Sequence, residues 1–200
     1  VVITNASDEV LTQSFARHPN LPELGTRDIP FTQQIYIDAA DFSEDPPKGF
    51  KRLVLGGEVR LRHSYVIKCD EVIKNEAGEI VELRCSADLN TLGKNPEGRK
   101  VKGVIQWVSA TLGVPAEIRL YDRLFTQTDP ESGESFLDCI NPDAFKVTQA
   151  IVEPSLATAQ PEERFQFERE GYFVADLKDC VDGKLVFNKT VSLRDSWGGA

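Results

Sequence analysis

The chain has 200 residues, of which 40% are hydrophobic and 28% charged, and its formal net charge is -9. This composition is typical of a globular protein with room for one large or two small domains. No apolar run approaches the roughly 20 residues needed to cross a bilayer, which excludes a transmembrane helix. The acidic total argues against a general nucleic-acid coat. We therefore expect a soluble, cytoplasmic protein.

The sequence contains none of the common catalytic or metal-binding motifs. Its four cysteines are widely spaced and it has only two histidines, so we predict reduced core thiols and no structural zinc site. GxxxxGK[ST], GxSxG, HExxH and GxGxxG are all absent, so no phosphate-cradling loop or hydrolase site is indicated. We expect no catalytic residue, cofactor or metal in this chain. The lack of any methionine, even at position 1, suggests a piece of a longer protein.

The first quarter of the chain is rich in turn residues. Residues 1–14 read as a short strand followed by polar residues. Residues 18–31 contain three prolines and a glycine, which predicts an extended loop with turns. A strand is predicted around Ile35 and Ile37, and a linker follows over residues 43–49.

A cationic strand pair is predicted over Lys48–Lys68, KGFKRLVLGGEVRLRHSYVIK. This window holds six Lys or Arg residues and a single acidic residue. A turn at Gly56-Gly57 should separate two arms in which apolar and basic residues alternate, so that one face packs and the other is cationic. The charges could simply be solvated and protect a strand edge. Alternatively Arg60 and Arg62, which project from the same face, form an anion site.

The remaining chain also reads as short strands. A second hairpin joins VIKCDEVIKN to EIVELRCSAD through Glu76-Ala77-Gly78. Residues 90–100 are turn-rich and basic, and residues 126–143 form a long excursion of the kind that often carries function. The other strand patterns are VKGVIQWVSA, AEIRLYDRLF, KVTQAIVEPS, RFQFEREGYFVAD and KLVFNKTVSLRD. Because helical stripes and βαβ units are absent, we predict an all-β fold of barrels or sandwiches.

Over essentially its whole length, the chain resembles the carboxy-terminal anticodon-binding region of class I glutaminyl-tRNA synthetases. The segments that carry the resemblance are HPNLPELGTRDIPF, KRLVLGGEVRLRHSYVIK, GRKVKGVIQWVSA, EIRLYDRLF, EPS, RFQFEREGYFVAD and VFNKTVSLRDSW. The resemblance implies two tandem β-barrels, with the distal one inserted into the sequence of the proximal one. Residues 1–47 and 115–200 would form the proximal barrel and residues 48–114 the distal barrel. The excursion at 126–143 resembles a ribbon that reaches toward the catalytic domain.

The resemblance also implies a set of RNA-contacting residues. In the family, the glutamine and arginine of FQFEREGYF hold the middle anticodon base. The KR pair and the RLR strand meet the other bases and nearby phosphates, and the asparagine of HPN contacts the loop. The family often has Asn-Ala where this chain has His63-Ser64, which should alter the polarity of the pocket for the first base. The predicted RNA-binding residues are Asn20, Lys51, Arg52, Arg60, Arg62, His63, Ser64, Gln166 and Arg169.

The function implied is recognition of the anticodon loop of glutamine tRNA. The full enzyme would then charge that tRNA with glutamine, using ATP and magnesium in a catalytic domain that this chain lacks. The expected partners are glutamine tRNA and that catalytic domain, and we expect a monomer. One alternative is the corresponding domain of a glutamyl-tRNA synthetase, which the FQFEREGYF segment disfavours. Another is a barrel that docks on an enzyme through its acidic surface and binds no RNA.

Overall fold

The computed structural model describes residues 1–133 and 135–193, and these residues form an all-β protein. They contain fourteen strands and short 3-10 turns, with no α-helix among them. The contacts divide the chain into two compact units. The first contains Val1–Gly113 together with Glu153–Ser155, and the second contains Val114–Val152 and the described chain from Leu156 onward. The predicted all-β class is confirmed.

The first unit is built on a five-stranded sheet with the order β1-β7-β6-β5-β8. Two further strand pairs, β2 with β3 and β4 with β9, accompany it. The nine strands are β1 (Val2–Ile3), β2 (Leu11–Ala16), β3 (Thr26–Phe31), β4 (Ile35–Tyr36), β5 (Glu58–Leu61), β6 (Val66–Lys74), β7 (Ile80–Asp88), β8 (Val104–Ile105) and β9 (Val108–Ser109). β6 and β7 form the predicted hairpin, whose turn includes Gly78 at a φ of 81°.

The alternation predicted for β5 is present. Val59 and Leu61 are fully buried in the core, while Arg60 and Arg62 lie partly exposed on the opposite face. A turn is present at Gly56 as predicted, with the Gly57 N–H donating to the Val54 carbonyl at 2.9 Å, but it does not join the arms of a hairpin. β5 pairs with β6, and the chain reverses between them at residues 62–65. The arm expected before Gly56-Gly57 makes only isolated parallel bridges.

The turn forms at 62–65 because His63 adopts the left-handed conformation. Its φ is 58°, which lets the Ser64 N–H donate to the Leu61 carbonyl at 2.8 Å. Non-glycine residues seldom adopt this conformation, so the sequence pattern favoured the glycine pair. Gly57 also serves packing, because a Cβ added there would lie 2.5 Å from Val54 Cγ2.

Residues predicted to form loops near the amino terminus form a strand pair instead. β2 pairs with β3 in antiparallel register from Leu11 with Phe31 to Ala16 with Thr26. Pro30 is accommodated because the pair has only two strands, and proline is tolerated on edges. Ile29 and Phe31 enter the core of the first unit.

The contacts group the first 47 residues differently from the predicted barrel division. Ile3, Phe31 and Ile35 share one core cluster with Leu53 and Val59. Residues 1–47 thus pack with residues 48–113, whereas the prediction joined them to residues 115–200. The resemblance supplied no contact information, and the apolar side chains of both segments are needed to complete one core.

The second unit has a five-stranded sheet with the order β11-β10-β14-β13-β12. Its strands are β10 (Val114–Tyr121), β11 (Phe145–Val152), β12 (Arg164–Phe167), β13 (Gly171–Ala175) and β14 (Val186–Val191). Each overlaps a predicted strand pattern, although β10 begins two residues before its pattern and β11 one residue before. The excursion between β10 and β11 contains short 3-10 turns at Pro130–Ser132 and Phe136–Cys139. The end of the VFNKTVSLRDSW segment, from residue 194, lies outside the described residues.

All four cysteines are buried free thiols, as predicted. Cys69 and Cys85 lie opposite each other on β6 and β7. Burial raises the pKa of the Cys85 thiol far above its usual value, so this thiol remains protonated and contributes to packing.

A charged network joins β10 to β14 and to residues 176–179, which precede β14. Arg119 contacts Glu117 at 2.8 Å, Asp176 at 3.3 Å and Asp179 at 2.6 Å. Asp176 also accepts hydrogen bonds from the Asn188 amide and from the backbone N–H of Asp179. These two bonds, with a smaller contribution from the Arg119 charge, lower the pKa of Asp176 to about 2.

Replacing Asp176 should reduce stability and change its acid dependence. The lowered pKa stabilises the folded state fully above the unfolded value of about 3.9, and this contribution is lost as the pH falls toward 2. We therefore expect Asp176→Asn to unfold more easily at pH 7 and to lose less stability than the wild type between pH 4 and 2. Chemical denaturation across this range measures both effects.

The matched control is Asp182→Asn, which removes the same charge from an exposed turn. This variant should follow the wild-type pH dependence. An Asp176→Asn protein whose stability falls with acid as steeply as that of the wild type would contradict the assigned role.

Candidate nucleic-acid interface

The outward face of β5 borders a pocket of about 490 Å³ in the first unit. This volume lies within the roughly 300–1,000 Å³ range of ligand sites. Its walls come from β2, from the turn after β5, from the 93–95 segment and from β8. The lining residues are Phe15, Arg60, Arg62, His63, Gly93, Lys94, Asn95 and Val104. None of them carries a carboxylate, so the pocket is cationic.

Arg60 builds one wall of this pocket. Its Nη1 donates to the carbonyl oxygens of Ser64 at 2.8 Å and Thr91 at 3.0 Å, and its Nη2 donates to the Lys94 carbonyl. Three carbonyls from two separate loops thus converge on one guanidinium group. These bonds hold the two loops together.

The turn that follows β5 presents Arg62 and His63 to the pocket. The Arg62 backbone N–H donates to the Ile105 carbonyl at 2.9 Å, and its carbonyl accepts from Trp107 Nε1 at 3.1 Å. His63 is exposed, and its ring lies 5.1 Å from that of Phe15, measured between centroids, at an angle of 33°. The turn is therefore fixed by its backbone while its two long side chains face the pocket.

Ser64 does not reach the surface. It is fully buried, and its hydroxyl accepts a hydrogen bond of 2.9 Å from Gln13 Nε2. The prediction of direct RNA contact by this side chain does not fit its burial. Ser64 instead anchors β2 to the turn, which is a supporting role.

A second basic pocket, of about 390 Å³, lies beside the first residues of the cationic segment. Lys51 and Arg52 line it together with Lys100 and Lys102. Lys51 is exposed, whereas Arg52 is held in place. The Arg52 Nε lies 3.2 Å from Oδ1 of the fully buried Asp41, and Nη1 donates to the Ala40 carbonyl at 2.8 Å. Arg52 thus compensates a buried carboxylate.

Glu58 also lines the second pocket, and its carboxylate is paired. Arg99 bridges Glu58, at 3.0 Å, and Asp88, at 2.6 Å. The hydrogen bond from Arg99 lowers the pKa of Asp88 below its usual value. Arg99 and Arg60 together hold the basic segment 92–103 on the sheet, and its lysines remain exposed.

The other predicted contacts lie elsewhere in the chain. Gln166 is exposed on β12 opposite Tyr172 of β13, and Arg169 lies in the turn between these strands with a φ of 70°. Both belong to the second unit. Asn20 is exposed in a first-unit loop, where its N–H donates to His18 Nδ1 at 3.1 Å.

Two family models match the chain, and both are described as the anticodon-binding domain of class I tRNA synthetases of types E and Q. One covers residues 1–88 and the other covers residues 104–176. The chain belongs to this family of anticodon-binding domains.

Relatives with the name Glutamine--tRNA ligase match 99% of the chain. The proteins of Ectopseudomonas mendocina and Stutzerimonas stutzeri are 65% and 63% identical to it, and that of Pseudomonas aeruginosa is 61% identical. The chain spans about 36% of the length of each of these relatives. The predicted resemblance to the carboxy-terminal region of glutaminyl-tRNA synthetases is confirmed.

Among residues 1–133 and 135–193, no cluster of three or more His, Cys, Asp or Glu could hold a metal ion. In the same part of the chain, no helix is long and apolar enough to cross a membrane.

Sequence reasoning missed several residues that line the two pockets. Phe15 received no interpretation, and Lys94 and Asn95 were interpreted only as part of a turn-rich segment. Lys100 and Lys102 lie in GRKVKG, which contributed to the resemblance but received no role. The basic character of residues 90–102 was the available signal, whereas nothing near Phe15 indicated its proximity to His63.

The neighbours Lys51 and Arg52 should respond differently to substitution. Arg52→Ala removes a hydrogen-bond partner of the buried Asp41, so we expect the free energy of unfolding to fall by about 1–3 kcal/mol. Lys51→Ala removes an exposed charge and should change it by less than about 0.5 kcal/mol. Denaturant titration of the two variants measures the difference.

Arg52→Lys provides the control for charge alone, because lysine keeps the charge but loses the planar array of donors. It should recover only part of the lost stability. Equal stability of the Lys51→Ala and Arg52→Ala proteins would contradict the structural role of Arg52.

Proposed function

We propose that this chain is the anticodon-recognition module of a glutamine-tRNA ligase. It binds the anticodon loop of glutamine tRNA, and the rest of the enzyme attaches glutamine with ATP. The observation that carries the proposal is the cationic pocket on the outward face of β5, in a chain whose net charge is -9. A local basic site within an acidic protein favours confined and selective RNA binding over general attraction.

The described contacts support a division of labour among the basic residues. Lys51 and Lys94 are exposed and suited to phosphate contacts, which set position without reading sequence. Arg62 faces the pocket and is suited to the Watson-Crick edges of unstacked bases, and His63 lines the same pocket. Arg52 and Arg60 would act mainly by holding the loops on which these residues lie. Asn20 would add a loop contact.

Gln166 and Arg169 are proposed RNA contacts within the second unit. The resemblance assigns them to the middle anticodon base, and both occur on the β12–β13 hairpin of the second unit. Gln166 is exposed, with an amide that can both donate and accept, while Phe165 and Phe167 pack toward the core cluster. The alternation of β12 therefore supports a surface role for Gln166.

The finer architecture and the partners are also proposals. We propose that the five-stranded sheets belong to two tandem β-barrels of the anticodon-binding type, one inserted into the sequence of the other. The catalytic domain of the longer enzyme would bind ATP with magnesium and would be the protein partner, in a cytoplasmic monomer. The family description covers types E and Q, so a glutamyl-tRNA synthetase domain is the second candidate.

Anticodon readout can be tested with isolated stem-loops. This chain should bind the glutamine-tRNA anticodon stem-loop more tightly than the same stem-loop with a changed middle base. Arg169→Ala and Gln166→Ala should each weaken cognate binding by about 5- to 150-fold and reduce that preference. Lys178→Ala, which removes an exposed charge from the same unit, is the control and should retain it.

The salt dependence of RNA affinity and the binding of a second RNA distinguish the proposed function from a glutamyl-tRNA synthetase domain and from a docking barrel. Contact with three or four phosphates predicts a slope of about -2 to -3 for log affinity against log salt concentration. Tighter binding to a glutamate-tRNA stem-loop would favour the type E enzyme. Equal binding to cognate and changed loops would contradict anticodon readout and favour a docking barrel.

A further inference from the structure

The pocket beside β5 contains an aromatic pair as well as cations. We infer that Phe15 and His63 form a stacking platform for one unpaired base of the bound RNA, whose phosphate is met by Lys94. The inference rests on the proposed function and deepens it, because it assigns a base-holding role to Phe15.

The two rings come from separate segments and meet at the surface. Phe15 lies on β2 and is only partly buried, while His63 is exposed in the turn after β5. Their centroids are 5.1 Å apart and their planes are inclined by 33°, within the usual range for interacting aromatic rings. Both line the pocket, so they can offer ring faces to a ligand there.

The platform is supported from below by buried polar contacts. Gln13, on the same face of β2 as Phe15, donates to Ser64 in a bond that is buried on both sides. On the other side of the turn, Trp107 donates to the Arg62 carbonyl. These bonds fix β2 and the 62–65 turn relative to each other. The rings are therefore preorganised, which lowers the entropic cost of binding a base.

The charges around the platform select the ligand. The pocket-lining groups with formal charge are Arg60, Arg62 and Lys94, and all are cationic. Asn95 adds an amide that can pair with a base edge. An aromatic surface beside cations is the combination that single-stranded nucleic acids require, because every base has a ring face and every nucleotide a phosphate.

Fluorescence of 2-aminopurine tests the stacking directly. We would place this base at each position of the glutamine-tRNA anticodon loop in turn and titrate it with this chain. Quenching at one position that disappears in Phe15→Leu and in His63→Asn is the expected result. Because base stacking on aromatic residues is sequence-tolerant, each variant should also bind the unmodified loop about 5- to 150-fold more weakly, whichever base occupies that position.

Matched variants separate stacking from folding. Asn tolerates the left-handed conformation at position 63, and Phe15→Tyr keeps the ring, so Phe15→Tyr should retain both quenching and affinity. Tyr36→Leu removes an exposed aromatic side chain that does not line the pocket and should bind as the wild type does. Thermal unfolding of each variant identifies any that fails to fold.

Each outcome bears on the inference. If the wild type binds with anticodon preference but Phe15→Leu and His63→Asn bind equally well, the platform is refuted while the proposed function stands. If the wild type binds no stem-loop, both are refuted. If a free mononucleotide competes at the same concentration as the stem-loop, the site binds a small nucleotide. The inference that its ligand is a base of an RNA is then refuted.

Discussion

The basic site depends on the hydrogen bonds of the Arg60 guanidinium group. Its Nη1 donates to the carbonyls of Ser64 and Thr91, and its Nη2 donates to that of Lys94. Thr91 in turn accepts a bond from the Val66 N–H through its buried hydroxyl. One charged side chain thereby links the turn after β5 to the 91–94 segment and fixes their relative position. Arginine suits this position because its planar donors can serve several acceptors at once.

An acidic protein can bind RNA only if its carboxylates are kept from the phosphates. Near the pockets this is achieved by pairing, since Arg99 is bonded to Glu58 and Asp88 and Arg52 to the buried Asp41. Some cations are thus used to neutralise or to position, and others remain exposed for the ligand. This arrangement limits attraction to the faces that carry exposed lysines, which favours selectivity over general affinity.

Local patterns in the sequence predict much of the fold and part of the site. The alternation of Val59 and Leu61 with arginines identified the outward cationic face, and Gly78 identified the β6–β7 turn. The turn at His63 was not predictable, because a left-handed histidine has no sequence signature. Neither was the meeting of Phe15 with His63, which depends on the pairing of β2 and β3. Sequence patterns show which residues alternate, but they do not show which distant segments pair.

Amide hydrogen exchange of this chain, with and without the glutamine-tRNA anticodon stem-loop, tests the central claim most directly. If RNA occupies the pocket that Arg60 holds together, exchange should slow at residues 62–64 and at Gly93, Lys94 and Asn95. The exposed β6–β7 turn around Gly78 supplies an internal reference that should be unaffected. Slowed exchange only outside the pocket, with no change at 62–64 or 93–95, would contradict the account.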